Sequence, residues 1–99
     1  MSIIADNEIT MDMWKIIAHH GYIHQKEKAI EELSELQQAL ARDLQGQGDR
    51  DNIAEEIADV LIMLSQMELI YGLAAEVNTA VRDKLGRTIE RIETEREGR

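Results

Sequence analysis

The stretch "AEEIADVLIML" (Ala54–Leu64) decides the fold. It sits in the greasiest part of the chain and still carries Glu55, Glu56 and Asp59. Its residues do not alternate between apolar and polar, as a half-buried strand requires. The apolar run from Ile57 to Ala75 has about the length of a membrane span, but Asp59, Gln66 and Glu68 would be costly in lipid. At about 100° per residue, Ile53, Ile57, Val60, Leu61 and Leu64 fall on one stripe of an amphipathic helix. The stretch is therefore expected to be a buried helix.

A second stretch, "AIEELSELQQAL" (Ala29–Leu40), repeats the pattern. Its stripe is Ala29, Leu33, Leu36, Leu40 and Leu44. Relative to Leu33, Glu32 lies about 100° to one side and Glu35 about 160° to the same side. Relative to Ile57, Glu56 and Asp59 take those same two positions. The two helices match at a shift of 24 residues, which aligns Glu32 with Glu56 and Glu35 with Asp59. Packed antiparallel through their stripes, they would bring all four acids to one edge of a shared seam. Like charges at about 5 Å repel by roughly 3 kcal/mol per pair at an effective dielectric near 20. No basic residue among them in sequence offsets this, and a hard divalent cation would. Carboxylate oxygens suit Mg²⁺ or Mn²⁺, and Mg²⁺ also takes phosphate oxygens. A single acidic helix face is most often just solvated, and Glu31, almost opposite the stripe, reads that way. Asp59, flanked by Ala58 and Val60, does not, because a carboxylate there is partly buried and needs a partner.

The remaining composition agrees with an all-α, antiparallel bundle of about four helices. The chain has 99 residues, no Pro and no Cys, which allows one domain and excludes disulfides and thiolate metal sites. Expected helices cover roughly 9–20, 23–45, 52–71 and 74–95. Gly21 and Gly72 act as stops, and Asn52 with Glu55 forms a capping box. Only Trp14, Tyr22 and Tyr71 are aromatic, so the core is aliphatic and thin, and such chains often gain stability by oligomerising. The formal charge of −9 argues against nucleic acid as a partner, though not against a nucleotide held through a metal. The N-terminus has no basic region ahead of an apolar run, so the expected setting is cytoplasmic, without a membrane partner.

The succession of "EELSE" and "EIAD", separated by the 20 residues from Leu36 to Glu55, resembles the all-α nucleoside triphosphate pyrophosphohydrolases. These include MazG-like enzymes, dimeric dUTPases and phosphoribosyl-ATP pyrophosphohydrolase. The similarity spans about residues 21–92 and includes "YIHQKEKAIEELSEL", with Gln25 ahead of the acids. The resemblance implies that Glu32, Glu35, Glu56 and Asp59 hold Mg²⁺. It implies hydrolysis of the α–β phosphoanhydride of a nucleoside triphosphate, giving monophosphate and pyrophosphate, with Glu35 or Glu31 as catalytic base. It also implies a homodimer or homotetramer with pockets shared between subunits. Ile62 and Leu69, off the main stripe and in need of cover, agree with that.

The resemblance also implies phosphate binding on the helix after the second motif, by Lys84 and Arg87, which share a face with Arg91, and by Asn78, which lies elsewhere on the wheel. Ordinary surface pairing of Arg87 and Arg91 with Glu90 or Glu95 is the plain alternative. Gln25, two turns before Glu32, lines the nucleotide pocket or satisfies a neighbouring helix end. Trp14 reads as core rather than as a stacking platform. His20 and His24 have metal-compatible spacing but flank Gly21, and read as surface or packing residues. Three competing readings remain. One is a helical module that binds a divalent ion without catalysis, and another is a plain interaction bundle. A di-iron carboxylate site is the third, and it lacks the usual Glu-x-x-His.

Overall fold

The computed structural model describes residues 6–98. Its elements are α1 (Asn7–His20), α2 (Tyr22–Leu44), α3 (Arg50–Tyr71) and α4 (Ala74–Glu97), and no strand occurs among the described residues. The all-α expectation with four helices therefore holds. No described helix is long and apolar enough to cross a membrane.

Local chemistry sets the boundaries. The Asp6 carboxylate accepts from the backbone N–H groups of Glu8 and Ile9 and starts α1. Gly21 alone separates α1 from α2, at φ 90°, a value that favours glycine. The expected Asn52 cap is corrected: α3 begins earlier, and Asp49 caps it by accepting from Asp51 and Asn52 N–H at 3.0 and 3.3 Å. Gly72 ends α3 in the left-handed region at φ 66° and ψ 37°. There Leu73 N–H reaches Glu68 O at 2.9 Å and Gly72 N–H reaches Leu69 O at 3.3 Å, the paired bonds of a Schellman motif.

Helices α2 and α3 form an antiparallel pair whose register is visible in side-chain pairs. Gln25 bonds Gln66. Seven residues on, Glu32 meets Asp59, and three further on Glu35 meets Glu56. Lys26 Nζ lies 4.7 Å from the centre of the Tyr71 ring and ties the start of α2 to the end of α3. Helix α1 packs against both and supplies Met13 and Ile17, which are buried. Helix α4 touches α3 only and buries no residue.

The expected seam is corrected. The buried positions of α2 are Gln25, Ala29, Glu32 and Ala39, and those of α3 are Val60, Met63, Ser65 and Gln66. Ala29, Leu36 and Val60 of the apolar stripes do turn inward, but Leu33, Leu40, Leu44, Ile57, Leu61 and Leu64 are exposed. The α2–α3 contact thus combines Ala29, Leu36 and Val60 with the acids, while most of each stripe stays exposed. Trp14 is likewise corrected: it is 39% exposed and outside the core.

Candidate metal centre

Two turns of α2 and two of α3 build the acidic cluster. Glu32 is 7% exposed and stands between the exposed Glu31 and Glu35. One oxygen from each of these three lies within 4.8 Å of the others. Across the seam, Asp59 comes within hydrogen-bonding range of Glu32, and Glu56 within range of Glu35. The four acids singled out in the sequence are thus brought together, with Glu31 beside them. The 24-residue repeat becomes a local two-fold relation, in which the pair Glu32–Asp59 exchanges with Glu56–Glu35.

Electrostatics mark the cluster as unbalanced. Burial, then hydrogen bonding to Glu35 and Asp59, then their charges push Glu32 up to about 7. Two carboxylates share a hydrogen bond only when one is protonated, so the contacts and the raised pKa have one cause. Glu56 is raised too, first by desolvation and then by the charges of Glu35 and Asp59. Glu56 as a residue is half-buried, yet its Oε2 is sealed from solvent and has no hydrogen-bond partner. A buried carboxylate oxygen without a donor is costly, and a cation would satisfy it. An all-carboxylate donor set of five fits a hard divalent ion.

The reading that nothing basic offsets the acids is corrected by Lys28. Its Nζ lies 3.3 Å from Glu31 Oε1 and 3.9 Å from Glu32 Oε1. The (i, i+3) and (i, i+4) spacing was a signal in plain view. Lys28 answers the outer edge of the cluster and leaves the Glu35–Glu56 side unpaired among the described residues.

A groove of about 220 Å³ opens from the cluster toward the start of α2. Lys28, Glu32 and Asp59 form its acidic end, Gln25 and Gln66 its far end, and Ile16, Ile62 and Met63 its apolar wall. Gln25 therefore lines a groove, as one of its two expected roles required. It is also satisfied, accepting from His24 Nδ1 at 2.8 Å and donating to Gln66 Oε1 at 2.7 Å. His20 and His24 stack with centroids 4.5 Å apart and planes 14° apart, despite the helix break between them. Partial desolvation, then His24 and His19, lower the His20 pKa below its usual 6.5. Gln66 and Lys28 at the groove escaped sequence reasoning, which gave His24 no part in it. Once Glu32 opposes Asp59, the antiparallel register itself places Gln25 opposite Gln66.

Helix α4 does not reach this groove. Lys84, Arg87 and Asn78 are exposed, and none of them lines it. Arg87 borders a shallow hollow on α4 with Arg82, Gly86 and Glu90. Among the described residues Lys84, Arg87 and Arg91 form no ion pair, so the surface pairing with Glu90 or Glu95 does not occur.

Comparison of the chain with protein-family models, with curated proteins and with solved structures gave no match.

Proposed function

We propose that this chain is a divalent-metal-dependent nucleoside triphosphate pyrophosphohydrolase that yields a monophosphate and pyrophosphate. The carrying observation is the sealed, donorless Glu56 Oε2 in a cluster with Glu32, Glu35 and Asp59. The EELSE…EIAD pattern adds the reaction class by resemblance. Glu32, Glu35, Glu56 and Asp59 would hold Mg²⁺, which neutralises phosphate charge and activates water when bound. Glu35 or the exposed Glu31 takes the proton that water loses on attacking phosphorus, and pyrophosphate leaves with the bridging oxygen. Gln25 lines the adjoining groove. Lys84 and Arg87, with Asn78 nearby on α4, bind phosphates from a second copy of the chain, since α4 does not reach the acids within one copy.

Product analysis tests this reading. The protein is incubated with Mg²⁺ and a panel of common and modified nucleoside triphosphates, with Glu56→Gln alongside. Monophosphate and pyrophosphate in equal amounts, lost in the variant, are expected. No product from any nucleotide, or undiminished product from Glu56→Gln, overturns it. The second reading is a metal-binding module without catalysis, which the distance of α4 from the acids favours. It predicts Mg²⁺-dependent thermal stabilisation with no turnover.

A further inference from the structure

The groove beside the acids ends in a chain of polar groups with one open end. Gln25 Oε1 can only accept, so His24 Nδ1 carries the hydrogen in their 2.8 Å contact. Gln25 Nε2 then donates to Gln66 Oε1 at 2.7 Å. Each bond fixes the direction of the next, and the chain finishes on Gln66 Nε2. Gln66 is 1% exposed, lines the groove, and has its acceptor oxygen already taken. What remains for a ligand is a pair of N–H donors, and nearly buried donors call for an acceptor.

The surroundings describe what carries that acceptor. The volume of about 220 Å³ lies below the ~300–1,000 Å³ of pockets for drug-sized ligands and suits one flat ring. Ile62 and the buried Met63 give it an apolar wall, and the His20–His24 stack gives a π-face. The other end holds Lys28, Glu32 and Asp59, which the hydrolase reading gives to a cation and phosphates.

Resting on the hydrolase reading above, we infer that this groove selects the nucleobase, with the His24–Gln25–Gln66 chain presenting N–H groups that donate to a base carbonyl and exclude an exocyclic amino group. Uracil-type and cytosine-type pyrimidines differ there, since the exocyclic group is an acceptor in one and a donor in the other. An amino group facing Gln66 Nε2 sets donor against donor and leaves both unpaired. Gln66 contacts the base in this assignment, and Gln25 and His24 are positioning residues.

The test compares kcat/KM for UTP and CTP with Mg²⁺. The wild type is expected to favour UTP by roughly ten- to a hundredfold. Gln66→Met should bring the ratio near one. His24→Leu should lower the ratio, and His24→Gln, which can still donate, should restore it; a merely structural histidine would move turnover of both nucleotides together. Turnover with equal rates, or with CTP preferred, overturns the inference and leaves the hydrolase reading standing. Turnover of other nucleotides but of neither UTP nor CTP also overturns the inference, whereas absence of turnover with the whole nucleotide panel removes the hydrolase reading instead. In that case the side-chain amide resonances of wild-type Gln66 decide the groove. A shift with uridine and none with cytidine upholds the selection, and equal or absent shifts overturn it.

Discussion

Glu32 is a carboxyl group whose neighbours are carboxyl groups, and its protonation is coupled to folding. Its pKa stands near 7, against an ordinary value of 4.5, because burial and then Glu35 and Asp59 disfavour the charge. The folded state thus binds the proton more tightly than the unfolded chain. The stability this contributes is full below about 4.5, falls as pH rises, and is gone above about 7. Glu56, raised for the same reasons, adds an effect of the same sign. In chelator, the melting temperature should therefore drop between pH 5 and pH 8. Glu32→Gln, neutral throughout, should remove much of that drop. Mg²⁺ should raise the melting temperature most at the alkaline end, where the carboxylates are ionised and free to bind it. A wild-type profile that is flat in chelator would contradict the desolvated Glu32. A companion prediction concerns the metal itself. Asp59→Asn should lose most of the Mg²⁺-dependent stabilisation at pH 8 while far-UV circular dichroism keeps its helical form. Stabilisation equal to that of the wild type would remove Asp59 from the ligand set.

At the scale of the element, the start of α3 discriminates between two caps. The side chain of Asp49 holds two backbone N–H groups, whereas Asn52 contributes only its backbone to that cap. Asp49→Ala should cost about 1 kcal/mol in urea unfolding. Asn52→Ala should leave the helix start intact; the reverse order of effects would restore the capping box read from Asn52 and Glu55. The error has a physical source. Asp49 and Asn52 both have capping side chains, and spacing alone cannot say which one adopts the extended backbone of a cap. The helices themselves were legible because Gly21 and Gly72 stop them chemically and the residues between favour helix. The convergence of Glu32, Glu35, Glu56 and Asp59 was legible because the 24-residue repeat constrains two helices at once. The seam was not legible. A helical wheel shows which stripe is apolar, but not whether that stripe faces the next helix or something outside the chain. The apolar stripes marked by Leu33 and Leu40 on α2 and by Ile57 and Leu61 on α3 suggest the α2–α3 contact, yet these residues are exposed and the contact holds Gln25, Glu32 and Gln66 beside Ala29 and Val60.

The exposed stripes have their consequence at the scale of the whole molecule. The chain exposes 7774 Å². A folded monomer of 11.3 kDa should expose roughly 5,700 Å². The excess of about 2,000 Å² per chain falls in the range buried by obligate interfaces. Much of the apolar part is ordered in stripes: Leu33, Leu40, Ile57 and Leu61 on the α2–α3 pair, and Val81, Leu85 and Ile92 along α4. Helix α4 buries nothing, and a helix without tertiary packing is marginal in water. Its cations Lys84, Arg87 and Arg91 flank its apolar stripe, while the acids of α2 and α3 have Lys28 as their one ion-pair partner among the described residues. A second copy would supply the apolar cover and the missing positive charge together. Light scattering should accordingly give at least twice 11.3 kDa at micromolar concentration. Leu85→Lys should shift the mass toward one chain and lower helicity as α4 frays. A wild-type mass of 11.3 kDa would end the assembly argument. Sharing of the site between copies is a separate matter, settled by complementation. Glu56→Gln and the double variant Lys84→Ala with Arg87→Ala are each expected to be inactive with nucleoside triphosphate. Mixed by unfolding and refolding, they should recover a fraction of wild-type turnover, because some assemblies pair intact acids from one copy with intact cations from the other. No recovery from a mixed assembly of correct mass would confine each site to a single chain.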